Sequence, residues 1–182
     1  SQLDRLSVEG TGRGTTISNC VIGAASFRGE HLYSGVYWPH YLDSDNSEYG
    51  TLNVSLTSAD LISDVVGSLD MGGISRCEAT DIWLGGVTSE CSGIEFTDCE
   101  VAGPVHVTGY TNLNDYYCGN FRASHCLFRE GVNIDVDLYG YSPGYAQVRA
   151  VHNTFLGDLS WNYEGGGEGF CAYMLFRGNI VL

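Results

Sequence analysis

The sequence predicts an all-β chain wound as a solenoid of about seven rungs with long loops. Three observations carry that prediction. The phrase "FRASHCLF" (121–128) returns 27 residues later as "VRAVHNTF" (148–155). Apolar residues around the phrase recur position by position in further copies. No 3.6-residue pattern separates the copies, which removes a βαβ arrangement.

Each copy centres on a Cys or Asn. "TTISNCVI" is anchored at Cys20, "GGISRCEA" at Cys77, "GIEFTDCEV" at Cys99, "FRASHCLF" at Cys126, "VRAVHNTF" at Asn153 and "MLFRGNIV" at Asn179. A weaker copy, "TLNVSLTSA", is anchored at Thr57. From Cys77 onward the anchors step by 22, 27, 27 and 26 residues. Apolar side chains precede the anchor at period-two spacing, as Ile94 and Phe96 precede Cys99, or Phe121 and Ala123 precede Cys126. That spacing marks a strand with one buried face. The phase then slips at the anchor, before Val101 or Phe128, so the chain bends there, and Asn or Gly tolerates the left-handed backbone a bend needs. A second strand follows in "PVHVTG", "GVNIDVDL" and "GDLSWNY", entered near Gly103, Gly131 or Gly157.

The phrases "ISNCVI", "FTDCEV", "SHCLF", "VHNTF" and "FRGNIV" resemble the right-handed parallel β-helix proteins of the pectate-lyase-like superfamily, which includes bacteriophage tailspikes. The likeness covers most of residues 12–182. It implies one right-handed parallel β-helix domain over 1–182, with a loop insertion at 27–50, as part of a longer chain or assembly. It further implies an extracellular or virion-surface setting and a homo-oligomer or larger assembly, trimeric among tailspikes. The superfamily's enzyme signatures, Asn-Thr-Asp with Gly-His-Gly or Arg-x-Pro-x-x-Arg, do not occur in this chain. No family catalytic residue carries over.

Charge narrows the partners. Twenty-two acidic residues face eight basic ones, all Arg, for a net charge of −14. Nucleic-acid binders gain affinity by neutralising phosphates with cations, so nucleic acid is not an expected partner. No apolar run approaches the roughly 20 residues of a membrane span.

The repeat also orders the seven cysteines. Cys77, Cys99 and Cys126 hold successive anchors, while Cys91, Cys118, Tyr145 and Cys171 form a second column. Stacked turns about 4.8 Å apart permit a Cys91–Cys118 disulfide, with a stack of free thiols as the alternative. A zinc site is not expected, since no close Cys pair is present.

Aligning Val105, Val132 and Leu159 places His106, Asn133 and Ser160 in one outward row. Thr108, Asp135 and Asn162 form the next, and Tyr110, Asp137 and Glu164 a third. Asp135, Asp137 and Glu164 are therefore the candidate catalytic carboxylates, at separations suited to glycoside hydrolysis. The same trio could instead ligate calcium or form a solvated face. Glu95, Arg122 and Arg149 share a row on the first strand, either as an ion pair or as two arginines gripping an acidic sugar. His125 and His152 fall at the bend. Loops carrying Tyr110, Tyr139, Tyr141 and Tyr163 leave consecutive turns at one edge, suited to sugar stacking or protein contact. The insertion adds Trp38 as a further ligand-contact residue, and its Asp43, Asp45 and Ser47 imitate the start of a calcium loop without completing an EF-hand.

The expectation is thus a surface β-helix that binds a polysaccharide and, if the carboxylates act, cleaves it as a hydrolase or lyase. The alternative is a non-catalytic structural module of a virion, tail or surface array. No cofactor is expected beyond a structural calcium.

Overall fold

The computed structural model describes residues 1–10, 14–29, 41–56, 58–72, 76–89, 93–110, 120–137, 145–164 and 171–182. The described secondary structure is all β-strand, in two sheets. Strands are numbered along the chain. The larger sheet holds β1 (Gln2–Gly10), β3 (Val21–Gly29), β5 (Glu48–Ser55), β7 (Val65–Met71), β9 (Trp83–Leu84), β10 (Val87–Ser89), β12 (Glu100–Val101), β13 (Val105–Tyr110), β15 (Leu127–Phe128), β16 (Val132–Asp137), β18 (Thr154–Phe155), β19 (Leu159–Glu164) and β21 (Ile180–Val181). The smaller holds β2 (Thr15–Ser18), β4 (Tyr41–Asp45), β6 (Ser58–Ile62), β8 (Arg76–Thr80), β11 (Gly93–Thr97), β14 (Asn120–Ser124), β17 (Tyr145–Val151) and β20 (Cys171–Arg177). The described pairings are all parallel.

Each strand of the smaller sheet leads through a sharp bend into the larger one. The bend residue takes left-handed backbone: Asn19, Asn46, Ser63, Asp81, Asp98, His125 and His152 have φ of 50–56°, and Gly178 has 64°. Asn, Asp and Gly bear that conformation at least cost, which explains most of this column. The strained residue is the one before the anchor, not the anchor itself.

Two anchors read from sequence need correction. Cys77 pairs with Ile94 and Ala59, five residues ahead of its own anchor, Ile82. The Thr57 copy falls across β5, which belongs to the larger sheet. The anchors run Cys20, Ser47, Asp64, Ile82, Cys99, Cys126, Asn153 and Asn179; the carbonyls of the first seven each accept the N–H of the residue after the next anchor, and Asn179 joins the preceding turn through its side chain. Their seven steps are 27, 17, 18, 17, 27, 27 and 26 residues, set between the eight bends of the described residues. The short turns carry no Cys or Asn anchor, so the phrase that marks the others is missing. Residues 27–29 and 41–50, read as insertion, fall in β3, β4, β5 and the bend between the last two.

The core lies between the sheets. Leu42, Ala59, Cys77, Ile94, Phe121 and Val148 form one buried column, and Ile22, Tyr49, Val66, Leu84, Val101, Phe128 and Phe155 another. Like side chains sit over like, so Phe128 and Phe155 stack with centroids 5.0 Å apart. A glycine column marks the second corner, where β9 gives way to β10. A Cβ on Gly50 would lie 2.5 Å from Gly23 O, and one on Gly67 2.5 Å from Gly50 O. Gly85 and Gly103 meet the carbonyls of Gly67 and Gly85 in the same way. Only a residue without a side chain lets successive turns approach this closely.

Anchor side chains knit the turns together. Cys20 N–H donates to Ser47 Oγ at 3.2 Å, and Ser47 N–H to Asp64 Oδ1 at 2.7 Å. Further along, Cys99 N–H donates to Cys126 Sγ at 3.5 Å, Cys126 N–H to Asn153 Oδ1 at 2.9 Å, and Asn153 N–H to Asn179 Oδ1 at 2.9 Å. The left-handed bend turns this N–H away from the sheet ladder, and a short acceptor one turn later satisfies it.

Candidate functional site

Register on β13, β16 and β19 brings the expected rows together. His106, Asn133 and Ser160 are successive partners, as are Thr108, Asp135 and Asn162. Val107 and Ile134 between them are buried, so the rows face outward. The first row is hydrogen-bonded along its length: Ser160 Oγ donates to Asn133 Oδ1 at 2.8 Å, and Asn133 Nδ2 to His106 Nδ1 at 3.2 Å. In the second, Asn162 Nδ2 donates to Asp135 Oδ1 at 3.2 Å, and Thr108 Oγ1 to Ser89 O at 3.3 Å. Asp135 is half-buried beside these donors.

The backbone also pairs Tyr110 with Asp137, Asp137 with Glu164, and Val136 with Tyr163. The side chains of Tyr110, Asp137, Tyr163 and Glu164 lie outside the described residues, as do Trp38, Tyr139 and Tyr141 altogether. Cys91 and Cys118 also lie outside them, while Tyr145 and Cys171 pair in register.

On the smaller sheet Arg122 pairs with Glu95 and Arg149. Arg122 Nη1 lies 3.7 Å from Glu95 Oε2 on a half-exposed surface. Sequence reading missed that this row continues: Glu95 follows Glu78, Asp60 and Asp43 in register. Placing the anchors at Ser47, Asp64 and Ile82, through the bend formers Asn46, Ser63 and Asp81 before them, would have exposed this acidic column. Asp43 and Asp45 lie on the outer side of β4 while Ser47 is buried beyond the bend, its hydroxyl donating to Asp45 O. The structure does not bring these three together. Among the described residues no group of three His, Cys, Asp or Glu is arranged to hold a metal ion.

The bend histidines stack. His125 and His152 rings are parallel within 3° at 5.7 Å, and His125 Nδ1 lies 3.8 Å from Asp98 Oδ1. Two further features escaped the sequence. Trp83 is exposed beside Val65, its partner one turn earlier. A polar cluster also interrupts the core: Tyr49 and Ser44 hydroxyls are 2.7 Å apart, and Asp64 is 1% exposed with Oδ2 lacking a hydrogen-bond partner. Burial pushes the Asp64 carboxyl above its ordinary range, against the opposing bonds from Ser47 N–H and Ser44. Burial likewise raises Tyr49.

No protein-family model, curated protein or solved structure matches this chain. Fold and candidate site together define an all-β protein of two parallel sheets that displays hydrogen-bonded polar rows on its outer face.

Proposed function

We propose that this chain is a right-handed parallel β-helix, a solenoid of stacked turns, that binds a polysaccharide along the outer face of β13, β16 and β19. Parallel strands joined by crossovers are overwhelmingly right-handed, which supports the hand. The observation that carries the ligand class is the row His106–Asn133–Ser160 beside Thr108–Asp135–Asn162. It offers donors and acceptors repeating about every 4.8 Å on a rigid sheet, a pattern suited to a polymer of repeated hydroxyls. A net charge of −14 disfavours polyphosphates as the alternative polymer. Such a ligand fits an extracellular or virion-surface protein, in an oligomer or a larger assembly.

Asp135, with Asp137 and Glu164 in neighbouring register, would supply the carboxyl pair if the polymer is cleaved. The test is retention on a panel of immobilised neutral and acidic polysaccharides. Wild type binds one class, and Asn133→Ala weakens it about tenfold, the loss of one or two hydrogen bonds. Release of reducing ends that Asp135→Asn abolishes, with binding kept, makes the protein an enzyme. Failure to bind any of the panel overturns the reading.

A second reading, a structural module of a virion, tail or surface array, is favoured by an apolar pair exposed on the larger sheet away from either end of the sequence. Trp83 and Val65, partners in register, are 38% and 45% exposed. A subunit seated there would appear as a stable oligomer by light scattering.

A further inference from the structure

The anchor column brings two thiols together. Cys99 and Cys126 occupy equivalent positions in consecutive turns, both 3% exposed. The strands that follow them, β12 and β15, pair in register at Glu100 and Leu127. Leu127 N–H donates to Cys99 O at 2.9 Å, which fixes the two backbones side by side. Parallel partners stand about 4.8 Å apart, within the 4.4–6.8 Å that a disulfide requires. The Cys126 sulfur also reaches across to the Cys99 backbone: Cys99 N–H points at Cys126 Sγ, 3.5 Å away. In this column the neighbours on either side are Ile82 and Asn153, which offer no sulfur.

We infer that Cys99 and Cys126 are an oxidation site, forming a disulfide that staples two consecutive turns when the protein meets a small-molecule disulfide. A hydrogen bond between the two thiols favours the thiolate of one over the other, and that thiolate is the first nucleophile. It attacks one sulfur of the oxidant, the oxidant's S–S bond breaks, and one small thiol leaves. The second cysteine then loses its proton and attacks the protein sulfur of the mixed disulfide, expelling the second small thiol. Two protein S–H bonds become one S–S bond, and the oxidant is reduced to two thiols. Because both sulfurs are buried, the reagent reaches them as the turns open or assemble. The inference is independent of the proposed ligand.

The experiment treats the purified chain with oxidised glutathione, then blocks free thiols under denaturing conditions. Cleavage after Arg and Glu places Cys99 in residues 96–100 and Cys126 in residues 123–129. The expected product is these two peptides joined, lost on adding dithiothreitol. Both cysteines recovered as alkylated thiols, or joined to other partners, overturn the inference. Cys126→Ser supplies the second measurement, since Ser47 shows that a hydroxyl serves the same anchor role. Oxidation raises the melting temperature of wild type by roughly 5–10 °C, from closing a loop of this length, and leaves Cys126→Ser unmoved. An equal rise in the variant sinks the assignment.

Discussion

Asn153 accepts the main-chain N–H of Cys126 on its side-chain oxygen at 2.9 Å, while its amide nitrogen donates to Ala123 O at 2.9 Å. One side chain thus closes two main-chain groups of the preceding turn. Asn179 repeats the device one turn later, on Asn153 N and Ala150 O. Replacing Asn153 with Ala strands a buried donor and acceptor at about 1–3 kcal/mol for each, partly relieved by relaxation, so a loss of about 2–4 kcal/mol is expected. Asn153→Cys restores the residue of the two preceding anchors and costs less than half as much. Urea unfolding of the two variants, at constant m-value, checks the ordering.

The glycine column predicts a contrast between two substitutions of identical chemistry. At Gly50 a new Cβ would sit 2.5 Å from Gly23 O, a main-chain atom that cannot swing aside. At Gly72 nothing lies within 4 Å. Gly50→Ala is expected to cost more than about 2 kcal/mol by forcing the turns apart. Gly72→Ala falls within about 0.5 kcal/mol of wild type, or slightly above it, because the unfolded chain loses freedom. Melting temperatures of the pair decide it.

Asp64 makes stability depend on pH in a definite sense. Its carboxyl is raised in the folded chain above the ordinary 3.8, chiefly by burial. Below pH 3.8 the group is protonated both folded and unfolded, and burial carries no ionic cost. As pH rises toward and through the folded value, the unfolded chain ionises more readily, and stability is lost. Asp64→Asn keeps an acceptor for Ser47 N–H and removes the charge. It should be more stable than wild type at pH 7, with the gap closing near pH 3.5. Urea midpoints at the two pH values test this, and a gap of the same size at both would remove Asp64 as its cause.

The strands and their register were legible wherever a turn carried both its phrase and its full length. Cys99, Cys126, Asn153 and Asn179 stand at the positions expected of them, and the pairs Asn133–Ser160 and Arg122–Arg149 follow at once. The turns anchored at Ser47, Asp64 and Ile82 were misread because a bend needs only a left-handed residue, and Asn46, Ser63 and Asp81 meet that need in different chemistries. Without the Cys or Asn that follows elsewhere, the period drops to 17 or 18 residues with no word to mark it. Asp64 was illegible for a different reason. An acidic residue before "VVGSLD" reads as surface, and only the stacking of Ser44, Ser47 and Tyr49 around it turns it inward.

The arginine row yields a prediction that separates acidic from neutral ligands. Arg122 is shared with Glu95 at 3.7 Å, whereas the row partners of Arg149 are Arg122 and Leu175. If the proposed polymer carries carboxylates and extends to this row of the smaller sheet, it would compete with Glu95 for the first guanidinium. An exposed pair of this kind is worth at most about 1 kcal/mol, so Glu95→Gln removes this competing carboxylate at little cost to the fold. Affinity for a uronate-containing polysaccharide should then rise by up to about fivefold, the equivalent of that energy, while binding of a neutral polymer stays the same. Arg149→Ala should lower the first and spare the second. Calorimetry at low ionic strength measures both, since added salt screens the contact. Equal responses to the two polymers would remove the arginine row from the ligand face and leave β13, β16 and β19 to bind alone.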